Sequence, residues 1–151
     1  MYCHKSILLI EDNLSDIENI TKALKAIELK NPLIHINTCE EAIVYLNNKN
    51  NLQPGLILLG LNEQQSDGLD FLKTIKANEN LRQIPVVIFA FSDEQYNIVK
   101  SFKLGVAGYI VKPEDVSKLN ESIKIITQYW TLSELPPVGD KYYEDSHYLS
   151  R

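Results

Sequence analysis

The sequence predicts a doubly wound α/β fold, in which five parallel strands form one sheet and helices cover both of its faces. Short apolar runs alternate along the chain with segments in which apolar residues recur every third or fourth position. The first run, Ile7–Ile10, is apolar throughout, as expected for a strand that is covered on both faces. A length of 151 residues allows one such domain with a sizeable core.

The first three elements are a strand, a helix and a second strand. Ile7–Ile10 is the first strand. Ser15 and Glu18 have the spacing of a capping box and begin a helix, which Pro32 terminates. Leu33–Ile36 is the second strand, because it is a short apolar run that follows this stop signal directly.

The middle of the chain repeats the alternation. Thr38 with Glu41 opens the second helix, again with capping-box spacing. A polar loop then leads to the third strand, Leu56–Leu61, whose apolar run is interrupted only near its end. Asp67 and Gly68 start the third helix.

The last part of the chain supplies two more strands and two more helices. Ile84–Phe91 is the fourth strand, and the capping-box spacing of Ser92–Gln95 begins the fourth helix. Gly105 fits the left-handed position that commonly ends a helix. Tyr109–Val111 is the fifth strand, and the fifth helix covers Asp115–Trp130.

The helical pattern stops after residue 130, so we expect a domain over residues 1–130 and a tail over residues 131–151. The net charge of −5 provides no basic surface for nucleic acid. The absence of an apolar run of about 20 residues predicts no membrane span. Two cysteines make no disulfide framework, which predicts a cytoplasmic protein.

Ligands of such folds bind at the carboxyl ends of the strands, so the residues at those ends are the candidate site. The first strand leads to Glu11 and Asp12, the third carries Gly60 near its end, and the fourth carries Ala90. Lys112 follows the fifth strand. The constellation is an acidic pair, a central position without a side chain and a lysine.

At this point the chain resembles the receiver domain of bacterial response regulators, a CheY-like member of the flavodoxin-like folds, over Lys5 to about Tyr129. The resemblance implies the strand order 2-1-3-4-5. The motifs that carry it are Ile10-Glu11-Asp12-Asn13, Pro54-Gly55-Leu56-Ile57-Leu58-Leu59-Gly60-Leu61-Asn62, Asp67-Gly68-Leu69, Pro85-Val86-Val87-Ile88 and Gly105-Val106-Ala107-Gly108-Tyr109-Ile110-Val111-Lys112-Pro113.

The resemblance also implies roles for individual positions. Glu11 and Asp12, with the backbone carbonyl of Asn62, fall where active receivers hold Mg²⁺. Gly60 falls on the phosphoacceptor position, and Ala90 falls on the position of a hydroxyl residue that contacts the phosphoryl group.

On the fifth-strand side, the resemblance assigns Lys112 to the lysine that pairs with the phosphate. It implies a cis peptide bond before Pro113 and assigns Tyr109 to the aromatic residue that reorients on activation.

Two of these positions depart from the family pattern. Gly60 provides no carboxylate nucleophile and no metal ligand, and Ala90 provides no hydroxyl. We therefore predict a pseudo-receiver that is not an enzyme and that acts through phosphorylation-independent protein contacts. The alternative is a working receiver that is phosphorylated at Glu63 or Asp67.

The remaining pocket has two open interpretations. Glu11 and Asp12 can bind Mg²⁺ weakly, or Lys112 pairs with Asp12 and metal binding is lost. We expect the second arrangement, with no cofactor.

At the end of the chain, Tyr129-Trp130 is followed by Leu135-Pro136-Pro137, and this stretch resembles the carboxyl-terminal extension of small single-domain response regulators that pair with phytochrome kinases. This resemblance implies a sensor histidine kinase, another receiver or a second copy of the chain as partner. The candidate interface consists of four aromatic residues: Phe102, Tyr109, Tyr129 and Trp130.

Overall fold

The computed structural model describes residues 5–61, 66–91 and 93–134 of the chain. Strands and helices alternate along it. The strands are β1 (Ile7–Ile10), β2 (Leu33–Ile36), β3 (Leu56–Leu61), β4 (Val86–Ala90) and β5 (Gly108–Val111). The helices are α1 (Leu14–Ala26), α2 (Cys39–Asn47), α3 (Ser66–Ala77), α4 (Gln95–Lys103) and α5 (Val116–Leu132).

The five strands form one parallel sheet in the order β2-β1-β3-β4-β5, which confirms the predicted architecture. The register aligns the carboxyl ends of the central strands. Ile10 lies opposite Leu59, and Leu61 lies opposite Ala90, which in turn lies opposite Val111. Residues that follow or end β1, β3, β4 and β5 therefore meet at one edge of the sheet.

The sheet has a hydrophobic core on each face, because successive strand residues point to opposite sides. Leu8 and Ile10 join a cluster with residues of α2 and α3, whereas Ile7 and Leu9 join a cluster with residues of α1 and α5. All four of these strand side chains are buried, and burial of each contributes about 1.5–3 kcal/mol. The two cores explain why β1 is apolar throughout.

Three of the helix starts that the structure describes have side-chain caps. Thr38 accepts from the backbone N–H of Glu41, as the sequence predicted. Asp115, which was predicted to be the first residue of α5, is instead its N-cap and accepts from the backbone N–H of Ser117. The start of α1 was predicted too late: its N-cap is Asn13, which accepts from the backbone N–H of Asp16. An asparagine caps a helix as well as a serine does, so Asn13 can cap α1 two residues before Ser15, the predicted cap.

The start of α4 also differs from the prediction. Its N-cap is Glu94, which makes no side-chain capping hydrogen bond, and Ser92 lies outside the described residues. At the other end of this helix, Gly105 has a φ of 92°, so the prediction of a left-handed cap is confirmed.

Helix α5 ends at Leu132, two residues beyond the predicted domain boundary at 130. The division of the chain at that boundary stays a prediction, and residues 135–151 lie outside the described part.

No described helix is long and apolar enough to cross a membrane. Every described peptide bond is trans, so the expected cis bond before Pro113 is wrong; trans is favoured at proline by about 0.5–1 kcal/mol in the absence of other constraints.

Candidate functional site

The side chain of Glu11 lies in the space that a side chain at position 60 would need. Glu11 follows β1, and its neighbour in the sheet, β3, carries Gly60 near its end. A Cβ atom built on Gly60 would overlap the Glu11 carboxylate, with only 2.7 Å to its Cδ, and would lie 3.2 Å from the Ile10 carbonyl oxygen. The position that lacks a carboxylate of its own is therefore filled by the carboxylate of a neighbouring strand.

Glu11 is held in this place by backbone and side-chain contacts. The backbone N–H of Asn13 donates to Glu11 Oε1 at 3.1 Å, and Lys112 Nζ donates to Oε2 at 3.2 Å. The Glu11 carbonyl oxygen accepts from His35 Nε2 at 2.8 Å. Glu11 is 5% exposed, so its carboxylate depends on these donors for the stabilisation that water would otherwise provide.

Lys112 pairs with two carboxylates at once. Its Nζ lies 3.2 Å from Glu11 Oε2 and 2.8 Å from Asp16 Oδ2, and all three side chains are at most 13% exposed. The prediction that Lys112 pairs with Asp12 is wrong. Asp12 is exposed, whereas the first turn of α1 brings Asp16 over the edge of the sheet to the lysine.

An aromatic ring covers the same ammonium group. Lys112 Nζ lies 4.9 Å from the ring centroid of Phe91, the residue that follows β4. The ring is 65% exposed, so it forms part of the surface above the site. Cation–π contacts of this kind stabilise a partly desolvated cation by about 0.5–2 kcal/mol.

Sequence reasoning missed both Asp16 and Phe91. It considered residues at the strand ends, and Asp16 lies beyond such an end, on the first turn of α1. Phe91 was counted as the last residue of β4, but this strand ends at Ala90, and Phe91 then leaves the sheet. The sequence signal for Asp16 was its position as an acidic residue near a helix start. This signal does not identify a site residue, because acidic residues there usually interact favourably with the helix dipole.

Some of the other predicted site residues line a cleft of about 100 Å³. Asp12 and Asp67 line it together with Glu11 and Gly60. Asp67 is exposed on the first turn of α3. Ala90 is fully buried at the end of β4 and contributes no hydrogen-bonding group beyond its backbone.

Cys39 lines the same cleft. Burial raises the pKa of its thiol to about 11, and the negative charges of Asp67 and then Asp12 add to this rise. The thiol is therefore protonated at neutral pH.

Metal binding at the predicted ligands stays a prediction. Among the described residues, no group of three or more His, Cys, Asp or Glu side chains lies close enough together to hold a metal ion. Glu11 is engaged with Lys112, and Asp12 is exposed on the adjacent cleft. Asn62, the third predicted ligand, and Glu63, one alternative acceptor, lie outside the described residues.

The four predicted interface residues lie on three elements. Phe102, on α4, and Tyr129, on α5, are 51% and 62% exposed. Tyr109, on β5, and Trp130, on α5, are half-buried against the two opposite cores of the sheet. Burial, followed by the charges of Glu94 and Asp93, raises the pKa of Tyr109.

The rings of Tyr129 and Trp130 meet edge to face, with their centroids 5.1 Å apart. Trp130 thus contributes to the core, and Tyr129 provides an exposed aromatic surface beside it. The assignment of the four residues to an interface stays a prediction.

The fold and the strand-end site together define a class: a doubly wound α/β domain with an acidic residue, a central strand-end position and a lysine at one edge of a 2-1-3-4-5 sheet. Residues 7–124 match the family model of the response regulator receiver domain. The chain therefore belongs to the response regulator receiver family and is a module of two-component signalling. Homologues of this family are in general signalling proteins rather than enzymes.

Among similar proteins, the response regulator Rcp1 of Synechocystis sp. is 32% identical over 130 residues, which cover 83% of this chain and 88% of that protein. The phosphorylated cyanobacterial phytochrome response regulator RcpA is similar in structure with a TM-score of 0.82 and 35% identity, covering 89% of this chain and all of that one. The Mn²⁺-bound form of Rcp1 has a TM-score of 0.80 and 31% identity, covering 88% of this chain and 99% of that one. The chain is thus related to phytochrome response regulators.

Proposed function

We propose that this protein is a pseudo-receiver, which signals through protein contacts without taking up a phosphoryl group and catalyses no reaction. The observation that carries the proposal is the Glu11 carboxylate in the side-chain space of Gly60, paired with Lys112. Phosphoryl transfer to a receiver needs a nucleophilic carboxylate and a cation that neutralises the developing charge. Here the nucleophile is absent from position 60, and the lysine is already neutralised by Glu11 and Asp16.

The related structures make a direct comparison available. RcpA has been crystallised in a phosphorylated form, and Rcp1 with Mn²⁺, so those proteins provide positive controls. Incubation with acetyl phosphate and Mg²⁺, followed by intact mass measurement in acid, is expected to add a base-labile phosphoryl group to RcpA and none to this protein. A stoichiometric acyl phosphate on this protein would overturn the proposal.

Metal binding is proposed to be weak or absent. A divalent ion prefers several oxygen ligands. The Glu11 carboxylate is paired with Lys112 and is therefore less available as a ligand. Millimolar Mg²⁺ is expected to leave the thermal midpoint of unfolding unchanged, whereas Mn²⁺ should raise that of Rcp1. A marked rise with Mg²⁺ would contradict this part of the proposal.

The alternative is a receiver that uses an unusual acceptor. Asp67 lines the cleft beside Gly60 and is exposed, so it is the described candidate, and Glu63 is the second. If an acyl phosphate forms, Asp67→Asn should abolish it. Asp70→Asn, on the same exposed helix surface but away from this cleft, is the matched control.

The partner is proposed to be a sensor histidine kinase of the phytochrome type, another receiver or a second copy of the chain. The relatives named for phytochrome signalling support this choice. The negative net charge gives no reason to expect nucleic acid, and a cytoplasmic location follows from such partners.

Self-association is proposed to involve the aromatic residues predicted from sequence. The exposed face of α4 adds Tyr96 and Val99 to Phe102, which together form an apolar stripe of one helix. Light scattering after size exclusion should report a dimer that Phe102→Glu disrupts. Val44→Glu changes an even more exposed apolar residue on α2 and should leave the mass unchanged. Loss of the dimer in both variants, or in neither, would contradict the assignment.

A further inference from the structure

Three charged side chains meet in a nearly dry site at the edge of the sheet. Glu11 comes from the end of β1, Asp16 from the first turn of α1, and Lys112 from the end of β5. Glu11 and Lys112 are 101 positions apart in sequence, and their side chains are each 4% exposed. Charges with so little access to water are stable only when they are paired.

We propose that Glu11 is an internal substitute for the carboxylate that position 60 lacks, and that Glu11, Lys112 and Asp16 form a permanent ion-pair clamp across the ends of β1, α1 and β5. The proposal rests on the proposed function, because it takes the site to be unphosphorylated. It assigns a structural role to Gly60 in addition to the absence of a nucleophile.

Gly60 is required for the clamp because only the absence of a Cβ leaves room for the Glu11 carboxylate. An added Cβ would lie 2.7 Å from Glu11 Cδ, which is closer than carbon atoms approach without a bond. The Ile10 carbonyl oxygen, at 3.2 Å, limits movement on the backbone side. Even a methyl group at this position must therefore displace the end of Glu11, and with it the contact to Lys112.

Displacement of Glu11 has a cost, although its side chain is flexible. The carboxylate would leave both the Asn13 N–H and Lys112 Nζ, and Lys112 would keep only Asp16. Glu11 and Gly60 are therefore expected to be energetically coupled, since a change at either residue removes the same contact.

The clamp also contacts Phe91, an exposed residue shortly before α4. Phe91 covers the Lys112 ammonium at 4.9 Å, and α4 begins four residues later at Gln95. Release of Lys112 would remove the cation beneath this ring. The clamp thereby fixes the cation that the Phe91 ring covers, and Phe91 is close in sequence to the exposed apolar stripe of Tyr96, Val99 and Phe102.

A double-mutant cycle tests the coupling. Gly60→Ala and Glu11→Gln should each lower stability against urea, and the double variant should lose little more than the more damaging single change. The matched control is Gly108→Ala, another strand glycine, whose added Cβ would meet Val87 at an ordinary 3.6 Å. Its effect should add to that of Glu11→Gln.

A second measurement follows Lys112 itself. Brief labelling with an amine-reactive reagent, quantified by peptide mass spectrometry, should modify Lys112 about tenfold faster in Gly60→Ala and Glu11→Gln than in wild type. This factor corresponds to the lower limit for loss of one charge-assisted hydrogen bond. Gly108→Ala should label as slowly as wild type.

Additive effects in the Gly60–Glu11 cycle, or unchanged Lys112 labelling, would overturn the clamp while leaving the pseudo-receiver proposal intact. An acyl phosphate on Asp67 or Glu63 would overturn the proposed function, and one on Glu11 would overturn both.

If Gly60→Ala does not fold, a cycle between Glu11→Gln and Asp16→Asn replaces it. Both residues share Lys112, so coupling is again expected and additivity again refutes the clamp.

Discussion

Replacing Gly60 with aspartate adds the missing carboxylate, yet we expect this change to destabilise the protein. The new Cβ would overlap the Glu11 carboxylate, which the Asn13 N–H and Lys112 hold in place at 3.1 and 3.2 Å. Glu11 must then leave this position. The carboxylates of Glu11 and of the new aspartate would then compete for Lys112, which is already paired with Asp16.

The magnitude follows from the bonds that Glu11 loses. Each hydrogen bond to a charged group contributes about 1.5–3 kcal/mol net. The new carboxylate can replace Glu11 as a partner of Lys112, so one of the two bonds is recovered and one is lost. Gly60→Asp should therefore lower the free energy of unfolding by about 1.5–3 kcal/mol, and repulsion between the carboxylates adds to this loss.

Urea unfolding monitored by circular dichroism measures this change, provided that the m-value stays constant. Gly60→Asn is the matched control, because it has the same bulk and lacks the charge, so the difference between the two variants measures the net effect of that charge, namely repulsion from Glu11 together with attraction to Lys112. Adding Glu11→Ala to Gly60→Asp should restore part of the stability by vacating the contested space. The reasoning is refuted if Gly60→Asp is as stable as wild type, or if Glu11→Ala lowers the stability of both proteins equally.

Three further predictions concern positions outside the ion-pair clamp. Gly105→Ala should cost about 1–2 kcal/mol in urea unfolding, because Gly105 has a φ of 92° and a Cβ is unfavourable there; an effect no larger than that of Gly108→Ala would contradict this. Asp115→Ala should cost about 1 kcal/mol by removing the cap of α5, and Asp115→Asn should retain most of that stability. In a Cys3→Ser background, stability should fall between pH 9 and about 11, because the unfolded chain releases the Cys39 proton before the folded protein does. Cys39→Ala should reduce this fall, and an unchanged pH profile would show that the buried thiol is not its source.

The fold could be predicted because its signals are local. Strands β1, β2 and β3 have the bounds that their apolar runs predicted, and the sheet order is the expected one. The errors lie at element ends, where several residues compete to start a helix. Asn13 caps α1 in place of Ser15, because a side chain that reaches the N–H three residues later suffices.

The site could be predicted only in part. The strand ends identified Glu11, Gly60 and Lys112, since the carboxyl ends of parallel strands meet at one edge. The choice of Asp12 as the partner of Lys112 was wrong, and Asp16 was missed. Adjacent residues after a strand point in different directions, and which of them faces the lysine depends on how the chain turns into α1.

By itself, the sequence determined that a receiver-type sheet forms and that position 60 carries no carboxylate, because apolar periodicity and residue identity are properties of the chain alone. Only the tertiary structure decided what occupies the vacant position. The contact between Glu11 and Lys112 joins residues 101 positions apart, and it depends on the spacing of β1 and β3, the direction of α1 and the side-chain rotamers. The absence of a Cβ at position 60 can be seen in the sequence, whereas the group that fills the space, the Glu11 carboxylate, is determined by packing.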